Sequence, residues 1–204
     1  MEGVKYIWRM VCVLSLVLLI SGCWVPEDFD ALVDIKSDGN FTFVYEGTLV
    51  FIPLFEEAKA GVDVKDLAEE IKDGLKEDPE FLRVSYEGMG RYKIVYKKNG
   101  HLDKAFYFLE RDGAIFSINR LSGGVIEIKG FRLKDKDRNK VKQAGIAIDG
   151  TLKVKVDGEA IEHNAHSEPK MFGMFGGYEW DIDTDSKEAP YMKVRIKEGH
   201  EEKK

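Results

Sequence analysis

Cross-links, catalytic signatures and a positive surface are all missing from this sequence, and each absence removes a class of function. Two cysteines, Cys12 and Cys23, in 204 residues allow one disulfide at most, so no disulfide scaffold holds the fold. There is no Gly-x-Ser-x-Gly elbow and neither glycine-rich phosphate-binding pattern, which leaves the common nucleophile and nucleotide signatures unrepresented. Lys and Arg number 31 against 37 Asp and Glu, a formal net charge of −6 without a basic cluster. Such a balance does not suit nucleic acid, nor adhesion to anionic lipid by charge. Internal repeats and low-complexity tracts are also absent. The apolar run Val11–Ile20, interrupted by Cys12 and Ser15, is shorter than the roughly 20 residues needed to cross a bilayer.

What the chain does have begins at its N-terminus. Lys5 and Arg9 precede that apolar run, which closes on Ile20-Ser21-Gly22-Cys23. A charged start, a short apolar stretch and small residues before a cleavage point make a secretory signal. The order and position of Ile20-Ser21-Gly22-Cys23 resemble the lipobox of bacterial lipoproteins. The resemblance covers residues 1–23. It implies a thioether to diacylglycerol on Cys23, cleavage between Gly22 and Cys23, and loss of residues 1–22. Two or three fatty chains then hold the protein on a membrane, where one would bind only marginally. Cys12 leaves with the signal and the Cys23 sulfur carries lipid, so no disulfide or thiolate nucleophile is left. Trp24 follows Cys23, where Asp would mark retention at the inner membrane under the enteric sorting rule. The expected location is the cell membrane or, favoured where the organism has one, the outer membrane, with the domain outside the cytoplasm.

The remainder is ordinary globular material, with 12 Phe and 8 Tyr in a 44% hydrophobic composition. Residues 23–28 read as a tether, 29–198 as one domain and 199–204 as a charged tail. Period-2 alternation dominates: Phe29, Ala31, Val33 and Ile35 point one way, and Phe41, Phe43 and Tyr45 resume after the turn signal Asp38-Gly39-Asn40. Asn99-Gly100 and Asp112-Gly113 are hairpin dipeptides, separating apolar runs at 92–96, 105–109 and 114–118. Further runs lie at 125–133, 151–156, 178–183 and 191–196. Val64, Leu67, Ala68, Ile71 and Leu75 recur instead at helical spacing, with Asp63 as cap. This predicts a helix near 64–77, ended before Pro79. Residues 134–142 fit a short helix or a loop equally. The fold class expected is α+β: mainly antiparallel sheet of hairpins and a meander, one covering helix, and a C-terminal β section.

Few residues are candidates for chemistry. His163 and His166, with Glu159, Glu162 and Glu168 nearby, are weak candidates for a metal; a polar solvated loop explains them better. Asp181, Asp183 and Asp185 fail as a calcium loop, because Ser186 and Met192 stand where Gly and Glu are needed. A hairpin pairing 182 with 192 accounts for them instead, setting Asp181 beside Lys193 and Glu179 beside Arg195. Gly88-Met89-Gly90 reads as a turn, and Phe51-Ile52-Pro53-Leu54-Phe55 as core. Met171, Phe172, Met174 and Phe175 lie among glycines just before a strand. Soft side chains there fit a loop folded over the core, or one that contacts lipid, an apolar ligand or a protein partner.

His163-Asn164-Ala165 followed by Tyr178-Glu179-Trp180 resembles the C-terminal section of LppM-like envelope lipoproteins, over about residues 150–196. The resemblance implies an anchored folded domain that handles lipid, and it carries no catalytic residue. The functional expectation is a lipid-anchored, non-enzymatic structural, interaction or binding module of the envelope, without cofactor. A carrier or sensor for a lipid or other apolar ligand is the alternative, and a hydrolase using an unrecognised carboxylate pair ranks third.

Overall fold

A computed structural model of the chain describes residues 24–109, 113–169 and 176–196. In chain order the elements are β1 (Trp24–Ile35), β2 (Asn40–Phe51), α1 (Ile52–Lys59), α2 (Lys65–Lys76), β3 (Phe81–Gly88) and β4 (Arg91–His101). There follow β5 (Phe106–Phe108), β6 (Phe116–Arg120), β7 (Val125–Lys129), α3 (Asp135–Ala144), β8 (Asp149–Val156), β9 (Gly158–His163), β10 (Tyr178–Asp183) and β11 (Tyr191–Ile196). The architecture is α+β with two sheets, mostly antiparallel. One is six-stranded in the order β10-β8-β1-β2-β4-β3, mixed because β1 and β8 run parallel; the other is five-stranded in the order β5-β6-β7-β11-β9.

The sheets meet through aromatic rings. Phe43 on β2 is fully buried, with its ring centroid 5.0 Å from Phe106, 5.1 Å from Phe108 and 5.7 Å from Phe116 of the second sheet. Phe29 stacks on Tyr45 at 5.5 Å and meets Phe116 at 5.9 Å. Tilted and edge-on rings at these separations add to the burial of their area. The alternation in β1 and β2 makes this possible, since it sends Phe29, Ala31, Val33, Ile35, Phe41, Phe43 and Tyr45 to one buried face. Gly150 lies opposite Phe29, where a Cβ would stand 2.5 Å from the ring.

Several expectations give way to tertiary context. Asn99-Gly100 is not a turn; both residues lie inside β4, opposite Thr42 and Phe41. A Cβ on Gly100 would stand 2.7 Å from the Phe41 ring, so the glycine makes room for an aromatic and the Asn99 amide oxygen accepts a hydrogen bond from the Thr42 hydroxyl at 2.8 Å. The expected 182–192 hairpin does not form either. β10 pairs with β8 in one sheet, and β11 with β7 and β9 in the other. Charge pairing survives with other partners: Glu179 meets Lys153 and Lys193 meets Glu162. Trp24–Asp28, expected as a tether, forms the start of β1, with Trp24 opposite Phe51 and Val25 opposite Val50. Residues 158–163, expected in a polar loop, form the edge strand β9.

The described residues hold three helices where the periodicity predicts one. α2 matches that helix with ends at 65 and 76, but its N-cap is Val64, without a side-chain cap bond, and not Asp63, whose carboxylate accepts the Lys65 N–H at 3.1 Å from one position earlier. α1 starts with Pro53 in its first turn, where a missing N–H costs nothing, and buries Leu54 and Phe55. α3 resolves the open choice at 134–142 in favour of helix, ending on Gly145 in the left-handed region. Residues 1–22 and 199–204 lie outside the described residues.

Candidate functional site

Two places concentrate side chains that do more than fill the core. The first is the pole where β1 begins. The Trp24 ring is half-buried, 4.9 Å from Phe51 and 5.5 Å from Tyr92. Beside it the turn Gly88-Met89-Gly90 joins β3 to β4, all three residues at positive φ. Gly90 has no alternative there, since a Cβ would stand 2.7 Å from the Phe55 backbone nitrogen. The turn leaves Met89 41% exposed. Arg91, next along β4, donates to both Glu27 carboxylate oxygens at 2.7 and 2.9 Å, and its guanidinium lies 5.4 Å from the Phe55 ring centroid. Glu27 holds the Arg91 guanidinium above its ordinary pKa, against the opposing effect of burial. The Tyr92 hydroxyl donates to the Ala68 carbonyl at 3.2 Å, tying the first turns of α2 to the start of β4. Two further exposed apolar residues, Val62 between α1 and α2 and Leu67 in α2, are carried by this segment.

The second place is a junction of β9, β10 and β11 centred on Asn164. Its amide oxygen accepts from the Trp180 indole N–H at 2.8 Å and the Tyr191 backbone N–H at 2.9 Å. Its amide nitrogen donates to the Ala189 carbonyl at 2.9 Å and to Glu188 at 3.3 Å. The two candidate histidines flank it without converging. The His163 ring packs on Tyr178 at 4.8 Å and accepts the Ala165 N–H through Nδ1 at 3.3 Å. His166 Nδ1 accepts the Asp181 N–H at 3.0 Å. Both rings thus use a nitrogen lone pair on the backbone, and no group of three or more His, Cys, Asp or Glu among the described residues is arranged to hold a metal ion. Asp183 accepts the Asp185 N–H at 2.7 Å and the Ser186 hydroxyl at 3.2 Å, closing the turn after β10. Asp185 pairs with Lys142 of α3, which holds its carboxyl below the usual range.

At the far end of β1 and β2 lies an open depression of about 390 Å³, lined by Asp34, Lys36, Asn40, Phe41, Thr42, Asn99 and Gly100. Its charges, Asp34 and Lys36, already pair with each other at 2.9 Å. Where α2 meets the sheet, the Tyr92 hydroxyl bonds to Ala68 and the Tyr92 and Tyr86 rings lie 5.1 Å apart. Cys23 and Gly22, expected from the sequence as the lipidation and cleavage residues, lie outside the described residues, as do Met171, Phe172, Met174 and Phe175.

The Glu27–Arg91 pair spans 64 positions, and no local pattern announces it. Asn164 and Trp180 do stand out in the sequence, through the resemblance that quotes them both, but the hydrogen bond that joins them is visible only in three dimensions.

No family model matches this chain, and no curated protein matches it. Among solved structures it is similar to the NMR structure of the folded domain of the Mycobacterium tuberculosis LppM protein. The TM-score is 0.36 at 10% sequence identity, over 86% of this chain and 91% of that one.

Proposed function

We propose that this chain is a lipid-anchored bacterial envelope protein whose β-rich domain serves outside the cytoplasm as a non-enzymatic binding or interaction module. The observation that carries this reading is Ile20-Ser21-Gly22-Cys23 behind a basic start and a short apolar run. Support for the non-enzymatic part comes from how the eligible side chains are engaged: Asn164, His163, His166 and Asp183 all bond to backbone or turn groups that hold strands together. No helix among the described residues is long and apolar enough to cross a membrane.

Metabolic labelling with an alkynyl palmitate in a bacterial host tests the anchor. The intact chain is expected to take up label and fractionate with membranes, and Cys23→Ala to do neither. Equal labelling of the variant overturns the reading. Native mass spectrometry of the folded domain tests the rest: an empty domain fits an interaction module, whereas co-purifying lipid makes it a carrier.

A further inference from the structure

Trp24, the residue bonded directly to Cys23, already lies in a hydrogen-bonded strand, opposite Phe51. Consecutive Cα atoms are only about 3.8 Å apart, so no spacer separates the acylation position from the folded domain. Resting on the reading of Cys23 as the lipidated residue, we infer that the pole formed by Trp24, Met89 and the α1–α2 segment sits on the lipid surface.

The chemistry of that pole fits an interface between hydrocarbon and water. Trp24 is half-buried, and indole rings favour the headgroup level of a bilayer. Met89 projects from a turn whose neighbours are glycines, on the same end of the sheet as Trp24, since Val50 lies opposite both Val25 and Arg91. Val62 is 53% exposed close by in sequence to α2, whose first turns are tied to β4 through Tyr92. The Lys59 ammonium and the Arg91 guanidinium lie over the ring of the buried Phe55, at 5.8 and 5.4 Å from its centroid, so the cations at this pole are held against an aromatic. Glu56, Glu57, Asp63 and Asp66 in the same segment remove any net positive charge, so the contact is apolar and does not depend on anionic lipid. The opposite pole, with the depression around Asp34 and Asn99, faces away. β1 has 12 residues, and at about 3.3 Å per residue it separates the two poles by roughly 35 Å.

The mature chain as expected would hold no free thiol, so single cysteines can report position. The full lipidated protein is reconstituted in phosphatidylcholine vesicles, carrying a nitroxide at Met89→Cys or, as reference, at Asp103→Cys beside the β1–β2 turn, to which Leu102 bonds through Gly39. The ratio of oxygen to water-soluble nickel relaxation is expected to be severalfold higher at 89 than at 103. In a parallel measurement, brominated phosphatidylcholine is expected to quench tryptophan emission, and the quenching to be lost in Trp24→Phe, because Trp180 is buried in the domain. Equal relaxation ratios, with quenching absent, in vesicle-bound protein overturn the orientation while leaving the anchor intact. Protein that fails to bind vesicles and carries no acyl mass fails the anchoring reading instead. Circular dichroism melting of each variant confirms that the labelled chains are folded.

Discussion

The aromatic centre and the Asn164 junction both join the two sheets, by opposite means. At the centre, Phe29, Phe43 and Tyr45 of one sheet meet Phe106, Phe108 and Phe116 of the other through ring contacts. These contacts fill volume and have little directional demand. At the junction a single amide makes four hydrogen bonds to groups on or beside β10 and β11. That amide has direction but little volume. The centre therefore fills the space between the sheets, while the junction ties a C-terminal strand of one sheet to a C-terminal strand of the other.

Phe43→Ala tests the centre most severely. Loss of a fully buried ring with four aromatic neighbours should cost about 3–5 kcal/mol in urea denaturation. A cost under about 1 kcal/mol would mean that the rings are not closely packed. Asn164→Ala should cost about 2–3 kcal/mol, because the Trp180 indole N–H and the Tyr191 N–H lose their acceptor. Trp180→Phe keeps most of the buried ring and deletes one hydrogen bond. It should cost about 1–2 kcal/mol, and much less in an Asn164→Ala background, since the two residues share that bond. If the two costs simply add, the junction is not a unit.

Alkali tests the desolvation of buried tyrosines without mutation. Burial raises the Tyr45, Tyr92 and Tyr96 hydroxyls above the ordinary tyrosine value. Groups whose pKa is raised by folding stabilise the protein fully below the unfolded value, about 10, and lose that contribution as pH climbs past it. The urea midpoint should therefore hold steady through pH 9 and fall above pH 10, as these core hydroxyls are driven to ionise. An unchanged midpoint at pH 11 would show that the rings are not desolvated. Asp183→Asn should have the smallest effect, within about ±0.5 kcal/mol, because its amide oxygen can still accept from Asp185 N–H. The value should be the same with and without calcium; a calcium-dependent loss would turn the turn into an ion site.

How much of this was legible in the sequence follows the same division. The β1–β2 alternation, its Asp38-Gly39-Asn40 turn and α2 are local, and residue spacing reports them. The buried faces of β10 and β11 were equally readable, from Trp180, Ile182, Met192, Val194 and Ile196. Their partners were not. Period-2 patterning tells which side chains face inward, yet says nothing about which sheet receives the strand. Asn99-Gly100 misled for a related reason, since turn propensity is weak against the steric demand of Phe41. Of the site, Trp24 reads as the residue after the anchor, but its place in a ladder depends on pairing with Phe51.

The parallel pairing of β1 with β8 also sets the order in which the domain can be built. Asp30 and Thr151 are hydrogen-bonded across 121 positions of sequence. β1 pairs with β2 as soon as their short turn is available, but its other edge has no partner until residues 149–156 have been delivered. Until then the N-terminal strands form a sheet with one open edge. An unpaired strand edge invites the wrong neighbour, and contacts between distant residues are slow to form. Asp28, Asp30 and Asp34 lie along that waiting edge. Carboxylates there would repel a second copy of the same strand, while β8 brings Thr151 to Asp30 and Lys155 to Asp34.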